Sequence, residues 1–119
     1  KCWTSGVILT GVSAGMLCWF ESSCTDSFGP LAGLTDGLGL LRGSACPHYD
    51  GEKKRRRSYH ALVAAGLGGG YAADDFAALH FVNRSLHRCV AGRKGAGAYR
   101  VRLRAGRVEE TRLTTIYLA

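Results

Sequence analysis

Two glycines bracket a serine at Gly11-x-Ser13-x-Gly15. The apolar, β-branched run Val7-Ile8-Leu9-Thr10 precedes them, and Met16, Leu17 and Phe20 follow at helical spacing. A serine on a tight strand-to-helix turn presents its hydroxyl at the carboxyl end of a sheet, with glycines beside it because the turn brings backbone too close for side chains. The helix that follows aims its N-terminus, and the Ala14 N–H, at the oxyanion that forms on an attacked carbonyl. The chemistry such a turn serves is nucleophilic attack on an acyl group.

A hydroxyl nucleophile needs a base, and the four histidines are not equivalent. His60 falls in a basic helical stretch, where a surface or packing role accounts for it. His80 and His87 lie in late strand-like runs without nearby acids. His48 follows Pro47 at the end of a strand-like stretch, in the loop before a helix. Loops at the carboxyl ends of neighbouring parallel strands share one crevice, so Ser13 and His48 can meet there. Asp26, Asp74 and Asp75 are the candidates to orient the imidazole. Arg55, Arg56 and Arg57 suit bidentate contact with an acidic substrate group, although a solvated helix face explains any one of them as well.

These groups require an α/β scaffold. The pattern predicts a strand over residues 7–10, buried on both faces, and a helix over 14–20. Residues 22–37, rich in Ser, Thr, Asp and Gly, read as an irregular excursion. Strands are expected over 38–41 and again over 44–47, the second stopped by Pro47. Asp50 can cap a helix over 52–65 that Gly66 closes. Strands over 71–73 and 77–82 bracket Asp74-Asp75, and another covers 86–90. Tyr99, Val101 and Leu103 alternate with Arg100, Arg102 and Arg104, and this strand pairs through Gly106 with 108–113 as a terminal antiparallel hairpin.

The 119 residues are 46% hydrophobic and 21% charged with 17 glycines, which excludes a disordered or collagen-like chain and fits one small domain. Five cysteines without a C-x-x-C pair argue against a disulfide framework and for a reducing, cytoplasmic setting. Cys46-x-His48-x-Asp50 lacks a second cluster to complete a metal site, so no metal or cofactor is expected. Residues 2–20 carry no charge until Glu21, yet their glycines, serines and threonines dilute the run below a membrane span. The net charge of +7 admits polyanions, but the Arg100, Arg102, Arg104 face has no aromatic platform, so it reads as a solvated strand face and no nucleic-acid partner is expected.

Five collinear motifs carry a family resemblance: Gly11-Val-Ser-Ala-Gly15, Thr25-Asp-Ser-Phe-Gly29, Gly37-Leu-Gly-Leu-Leu41, Cys46-Pro-His-Tyr-Asp50 with Glu52 and the arginines, and Tyr71-Ala-Ala-Asp-Asp75. Together they resemble the peptidase E-like serine peptidases of family S51. That resemblance implies part of a flavodoxin-like, class I glutamine amidotransferase-like three-layer sandwich. It also implies a Ser–His–acid hydrolase cleaving small peptides at acidic (Asp) residues without a cofactor. Ser13 falls on the family's nucleophile and His48 on its base. Asp26 matches an aspartate sometimes assigned to the relay, and Asp75 stands where many members carry glutamate. Family members run to twice this length, their first half supplying parallel strands and a glycine-rich loop with a second oxyanion N–H. Residues 1–119 therefore read as a single partial domain, the carboxyl-terminal half. Its expected companions are a second copy or a complementing N-terminal half. The alternative is a truncated, non-catalytic remnant, or one half of a split enzyme, acting as an interaction module.

Overall fold

The computed structural model describes residues 1–119. In chain order it contains a 3-10 turn (Trp3–Ser5), α1 (Ala14–Leu17), β1 (Phe20–Thr25), β2 (Ala32–Leu34), β3 (Leu41–Cys46) and α2 (Arg55–Ala64). There follow β4 (Gly70–Ala73), β5 (Ala77–Val82), β6 (Ser85–Ala91), β7 (Ala98–Arg104), β8 (Arg107–Arg112) and β9 (Thr115–Tyr117). The architecture is α/β. A six-stranded sheet runs β2-β1-β3-β4-β7-β8, with β1, β3 and β4 parallel and β2, β7 and β8 added antiparallel. A smaller sheet, β5-β6-β9, stands beside it. The expected terminal hairpin is present as β7 and β8, which turn through Ala105 and Gly106, both at positive φ.

The side-chain period of two divides the main sheet's core between its faces. Cys24, Cys46, Ala72 and Val101 point to one face, where α2 lays Tyr59 and Val63 upon them. Val63 alone contributes about 1.5–3 kcal/mol by this burial. Ala45 and Tyr71 point to the other face, where Leu17 of α1 and Phe20 pack in one cluster with Met16, Trp19, Leu41 and Phe81. This second face carries the cleft described below.

Several expectations are corrected. Residues 7–10 form no strand: residues 8–11 make no backbone hydrogen bonds, and Ile8 is 86% exposed. An apolar β-branched run becomes a strand only where a neighbour pairs with it, and none does here. The first helix ends at Leu17, so that Phe20 opens β1 instead of closing α1. β1 and β2 occupy much of the stretch read as irregular. Its buried Ser22 is satisfied internally, Oγ donating to the Leu67 carbonyl at 3.1 Å, which is how a polar residue serves in a buried strand. The strands expected at 38–41 and 44–47 are one strand, β3, bulged at Gly43. Gly43 has φ 82°, and a Cβ there would stand 2.4 Å from the Gly69 carbonyl oxygen. α2 begins at Arg55, not at 52, and Asp50 does not cap it; its end at Gly66 is as expected. No helix is long and apolar enough to cross a membrane.

Candidate active site

Three loops converge beside the second face, two of them at the carboxyl ends of β3 and β4. The first is the turn before α1. Ser13 has φ 55° and ψ −119°, a conformation that costs an L residue about 1–3 kcal/mol and persists only when its surroundings impose it. The chain folds so tightly that a Cβ at Gly11 would lie 1.9 Å from the Gly15 carbonyl oxygen. Glycine is thus compulsory at 11, whereas a Cβ at Gly15 would meet nothing. The Ser13 carbonyl accepts the Met16 and Leu17 N–H groups, and the Ala14 N–H has no partner in the chain.

The second loop leaves β3 through Pro47. His48 is also at positive φ, 52°. Nε2 lies 2.9 Å from Ser13 Oγ, and Nδ1 lies 2.7 Å from Asp75 Oδ1. A carboxylate only accepts, so Nδ1 carries the proton and Nε2 is left to accept from the serine hydroxyl. The third loop follows β4 and supplies Asp75, with Phe76 at φ 68° beside it. His48 and Asp75 remain about one-third exposed, at 32% and 35% of their side chains.

The second and third loops are stitched together. The Tyr49 N–H donates to the Ala73 carbonyl at 3.0 Å, and the Asp75 N–H donates to Asp50 Oδ1 at 2.8 Å. Gly51 lies against the Asp75 carboxylate, leaving no room for a side chain. Asp50's carboxyl is pushed up by burial, but the Asp75 N–H and the Arg93 guanidinium outweigh that and hold it below the ordinary value. The serine, histidine and aspartate line one wall of a cleft of about 750 Å³ whose other walls include Val7, Val12, Met16, Leu41 and Phe81.

The other candidates have different partners, although Asp74 also lines the cleft. Asp26 accepts from Arg55 Nη2 at 3.3 Å and makes no contact with His48. Asp74 is buried with Oδ2 on the Gly97 N–H (2.9 Å) and the Tyr99 hydroxyl (3.3 Å), and burial raises its pKa. Arg55 is buried against Glu52, Asp26 and the Cys24 carbonyl. Arg56 clamps Glu110 with two 3.1 Å bonds and stacks on Tyr49 and Tyr99, and Arg57 is exposed without an ion pair. None of the three lines the cleft, because α2 covers the opposite face of the sheet. Cys46, His48 and Asp50 diverge: the thiol is buried beside Cys24, the ring turns to Ser13, and the carboxylate turns to Asp75 and Arg93. Sequence reasoning took Asp50 for a helix cap and passed over Gly51, although both sit within three residues of His48. Arg93, eighteen residues beyond the Tyr71–Asp75 motif it approaches in space, gave no signal.

Such an arrangement can deprotonate a serine hydroxyl as it attacks a carbonyl, with the imidazole held in one tautomer by the carboxylate. The family model for peptidase family S51 matches residues 1–89. The chain is 52% identical over 119 residues to the uncharacterized peptidase YgaJ of Bacillus subtilis (strain 168), covering 99% of this chain and 51% of that protein. It thus spans about half the length of that relative. No solved structure matches it. By its motifs, by that identity and by the extent of the family match, the chain belongs to peptidase family S51.

Proposed function

We propose that the chain is a serine-type peptidase in which Ser13 attacks the scissile carbonyl, His48 carries the proton from hydroxyl to leaving amine, and Asp75 orients the imidazole. The single observation behind this reading is the relay Ser13 Oγ, His48 Nε2, His48 Nδ1, Asp75 Oδ1, unbroken at 2.9 and 2.7 Å. The oxyanion rests on the free Ala14 N–H. Asp75 is preferred to Asp26 for the third role because Asp26 is engaged by Arg55.

The substrate class in this reading is a small peptide with an acidic residue, aspartyl dipeptides first. Its support is the family likeness and the net charge of +7, which concentrates anions at the surface. The α2 arginines lend none, and no lysine or arginine lines the cleft. Free thiols at all five cysteines suit a reducing, cytoplasmic setting.

A second reading is favoured by the apolar segment ahead of Ser13. Ile8 and Val12 are 86% and 85% exposed, and the backbone between them is unpaired. In this reading another copy, or a segment equivalent to the other half of the longer relative, covers the cleft, and the chain alone is an interaction module. One experiment separates the two. The chain is incubated with a fluorophosphonate probe and with aspartyl dipeptides, beside Ser13→Ala, and sized by gel filtration. Labelling and turnover lost in the variant support the peptidase reading. A chain that labels no faster than Ser13→Ala and elutes as an oligomer supports the second.

A further inference from the structure

Asp50 and Arg93 form the one ion pair that reaches the site without belonging to it. Asp50 Oδ1 receives the Asp75 N–H at 2.8 Å, and its other oxygen is bonded to the Arg93 guanidinium. Arg93 comes from the loop between β6 and β7, and its guanidinium carbon lies 5.2 Å from the centre of the Phe76 ring. The same loop grips the Asp75 turn again: the Gly92 N–H donates to the Phe76 carbonyl at 2.9 Å, and the Asp74 N–H donates to the Gly97 carbonyl at 2.9 Å. Asp75 is thus pinned from the His48 side by Asp50 and from the far side by residues 92–97.

Such a tie needs only a hydrogen-bond acceptor at position 50. A carboxylate there does something more, since it places a second negative charge next to the one that faces His48. Two carboxylates would over-stabilise the imidazolium and leave less neutral base. A guanidinium on the outer oxygen cancels the second charge while the inner oxygen keeps its grip on the backbone.

We propose that Asp50 and Arg93 are a positioning pair: Asp50 holds Asp75 against His48, and Arg93 neutralises Asp50 so that the imidazole faces one net carboxylate. The inference rests on the peptidase reading above. The other charged and titratable groups around the ring are Ser13 and Asp75 in contact, Asp74 behind Asp75, the Arg56, Glu110 and His60 cluster beyond Tyr49, Glu52 on the His48 loop with Arg55 and Asp26 behind it, and His80 across the cleft.

The test follows the rate of fluorophosphonate labelling against pH, with thermal melts as the check on folding. Asp50→Asn keeps an oxygen for the Asp75 N–H but leaves Arg93 unpaired, so the acid limb of the profile moves to lower pH. Arg93→Gln leaves Asp50 uncompensated, and the limb moves to higher pH. Each displacement is about half a pH unit, the size expected of one charge beyond the nearest shell in a partly solvated site. The Asp50→Asn/Arg93→Gln double variant and Arg93→Lys both return the limb to its original place. Asp50→Ala, which removes the tie, lowers the maximal labelling rate about tenfold, since a partly freed acid still finds the ring part of the time. Limbs that stay put, or move the same way in both single variants, overturn the pair while the peptidase reading stands. Wild-type protein that labels no faster than Ser13→Ala overturns both. Asp50 and Arg93 are partly exposed, and Asp50→Asn and Arg93→Lys are close in shape to the originals, so folding survives in at least these two.

Discussion

Replacing Gly51 with alanine perturbs Asp75 without touching any group that reacts. Gly51 is not among the glycines at positive φ, so its backbone accepts an L side chain. The substitution also removes freedom from the unfolded chain, a gain of about 0.4–1 kcal/mol. The new methyl falls 2.1 Å from Asp75 Oδ2 and 2.9 Å from its carboxyl carbon. A carbon and an oxygen need about 3.2 Å, so roughly 1 Å must be made up. The Asp75 main chain cannot supply it, since its N–H is tied to Asp50 and the adjoining residues are tied to Tyr49 and Gly97. The carboxylate swings instead, and the 2.7 Å contact with His48 Nδ1 opens beyond hydrogen-bonding reach. A displacement of about 1 Å in a positioned group costs about a hundredfold in rate, and complete loss of the orienting acid about 10³–10⁴. Gly51→Ala is therefore expected to label with fluorophosphonate about 100 times more slowly, with unfolding free energy within about 1 kcal/mol of the original. Asp75→Asn is the reference, and adding Gly51→Ala to it should slow labelling no further, because both remove the same contact. Labelling of Gly51→Ala within about threefold of the original, less than 1 kcal/mol of barrier, would refute the role given to Asp75.

Three further outcomes are expected. Ser13→Gly releases the strained φ of 55° and should raise stability by about 1–2 kcal/mol, read as a higher melting temperature, while labelling is lost; a lower melting temperature would show that the turn is unstrained. Burial pushes the Glu110 carboxyl up, but donors on Tyr49, Arg56 and His60 outweigh it and hold the group below its ordinary 4.5. Its contribution is complete above that pH and is lost as pH falls through the lowered value, so Glu110→Gln should flatten the decline of melting temperature below pH 4.5; parallel curves would count against it. Tyr59→Phe removes the 2.6 Å contact with Ser44 Oγ, which keeps its bond to the Gly68 carbonyl, so chemical denaturation should report a loss of about 1 kcal/mol rather than that of an orphaned hydroxyl.

What the sequence disclosed divides by the range of the interactions involved. α2, β5, β6 and the terminal hairpin were legible because alternation, helical spacing and terminal glycines are local properties. β1 was not, since Ser22 and Thr25 look like loop residues until Leu67 and Ser27 satisfy their hydroxyls. Residues 7–10 failed in the opposite sense: their composition promises a buried strand, and pairing, which no composition supplies, is missing. The same division runs through the site. Ser13 and His48 could be placed from a turn pattern and a loop position. The choice between Asp26 and Asp75 depended on which carboxylate Arg55 occupies, a contact across 29 residues of chain. The arginines misled for a related reason. Their charge suggested a ligand, whereas Glu52, Asp26 and Glu110 had already used two of them to anchor α2.

Strain explains why so much of the fold is devoted to these loops. Five non-glycine residues have positive φ. Asn83 and Ala105 lie in hairpin turns, where that conformation matches the twist of the flanking strands. Ser13, His48 and Phe76 have no such excuse, and each belongs to a different loop of the cleft wall. At about 1–3 kcal/mol apiece, their combined strain is comparable with the lower end of a domain's whole stability. It can persist only if each loop is held at more than one point. Gly11 packs under Gly15, the Tyr49 and Asp75 N–H groups tie the second loop to the third, and residues 92–97 hold the third from behind. Relaxing any one of the three would return its residue to an ordinary φ and carry the side chain off the line from Oγ to Oδ1. The geometry of the relay and the strain of its backbone are therefore one constraint, and substitutions that loosen these ties should gain stability locally as they lose reactivity.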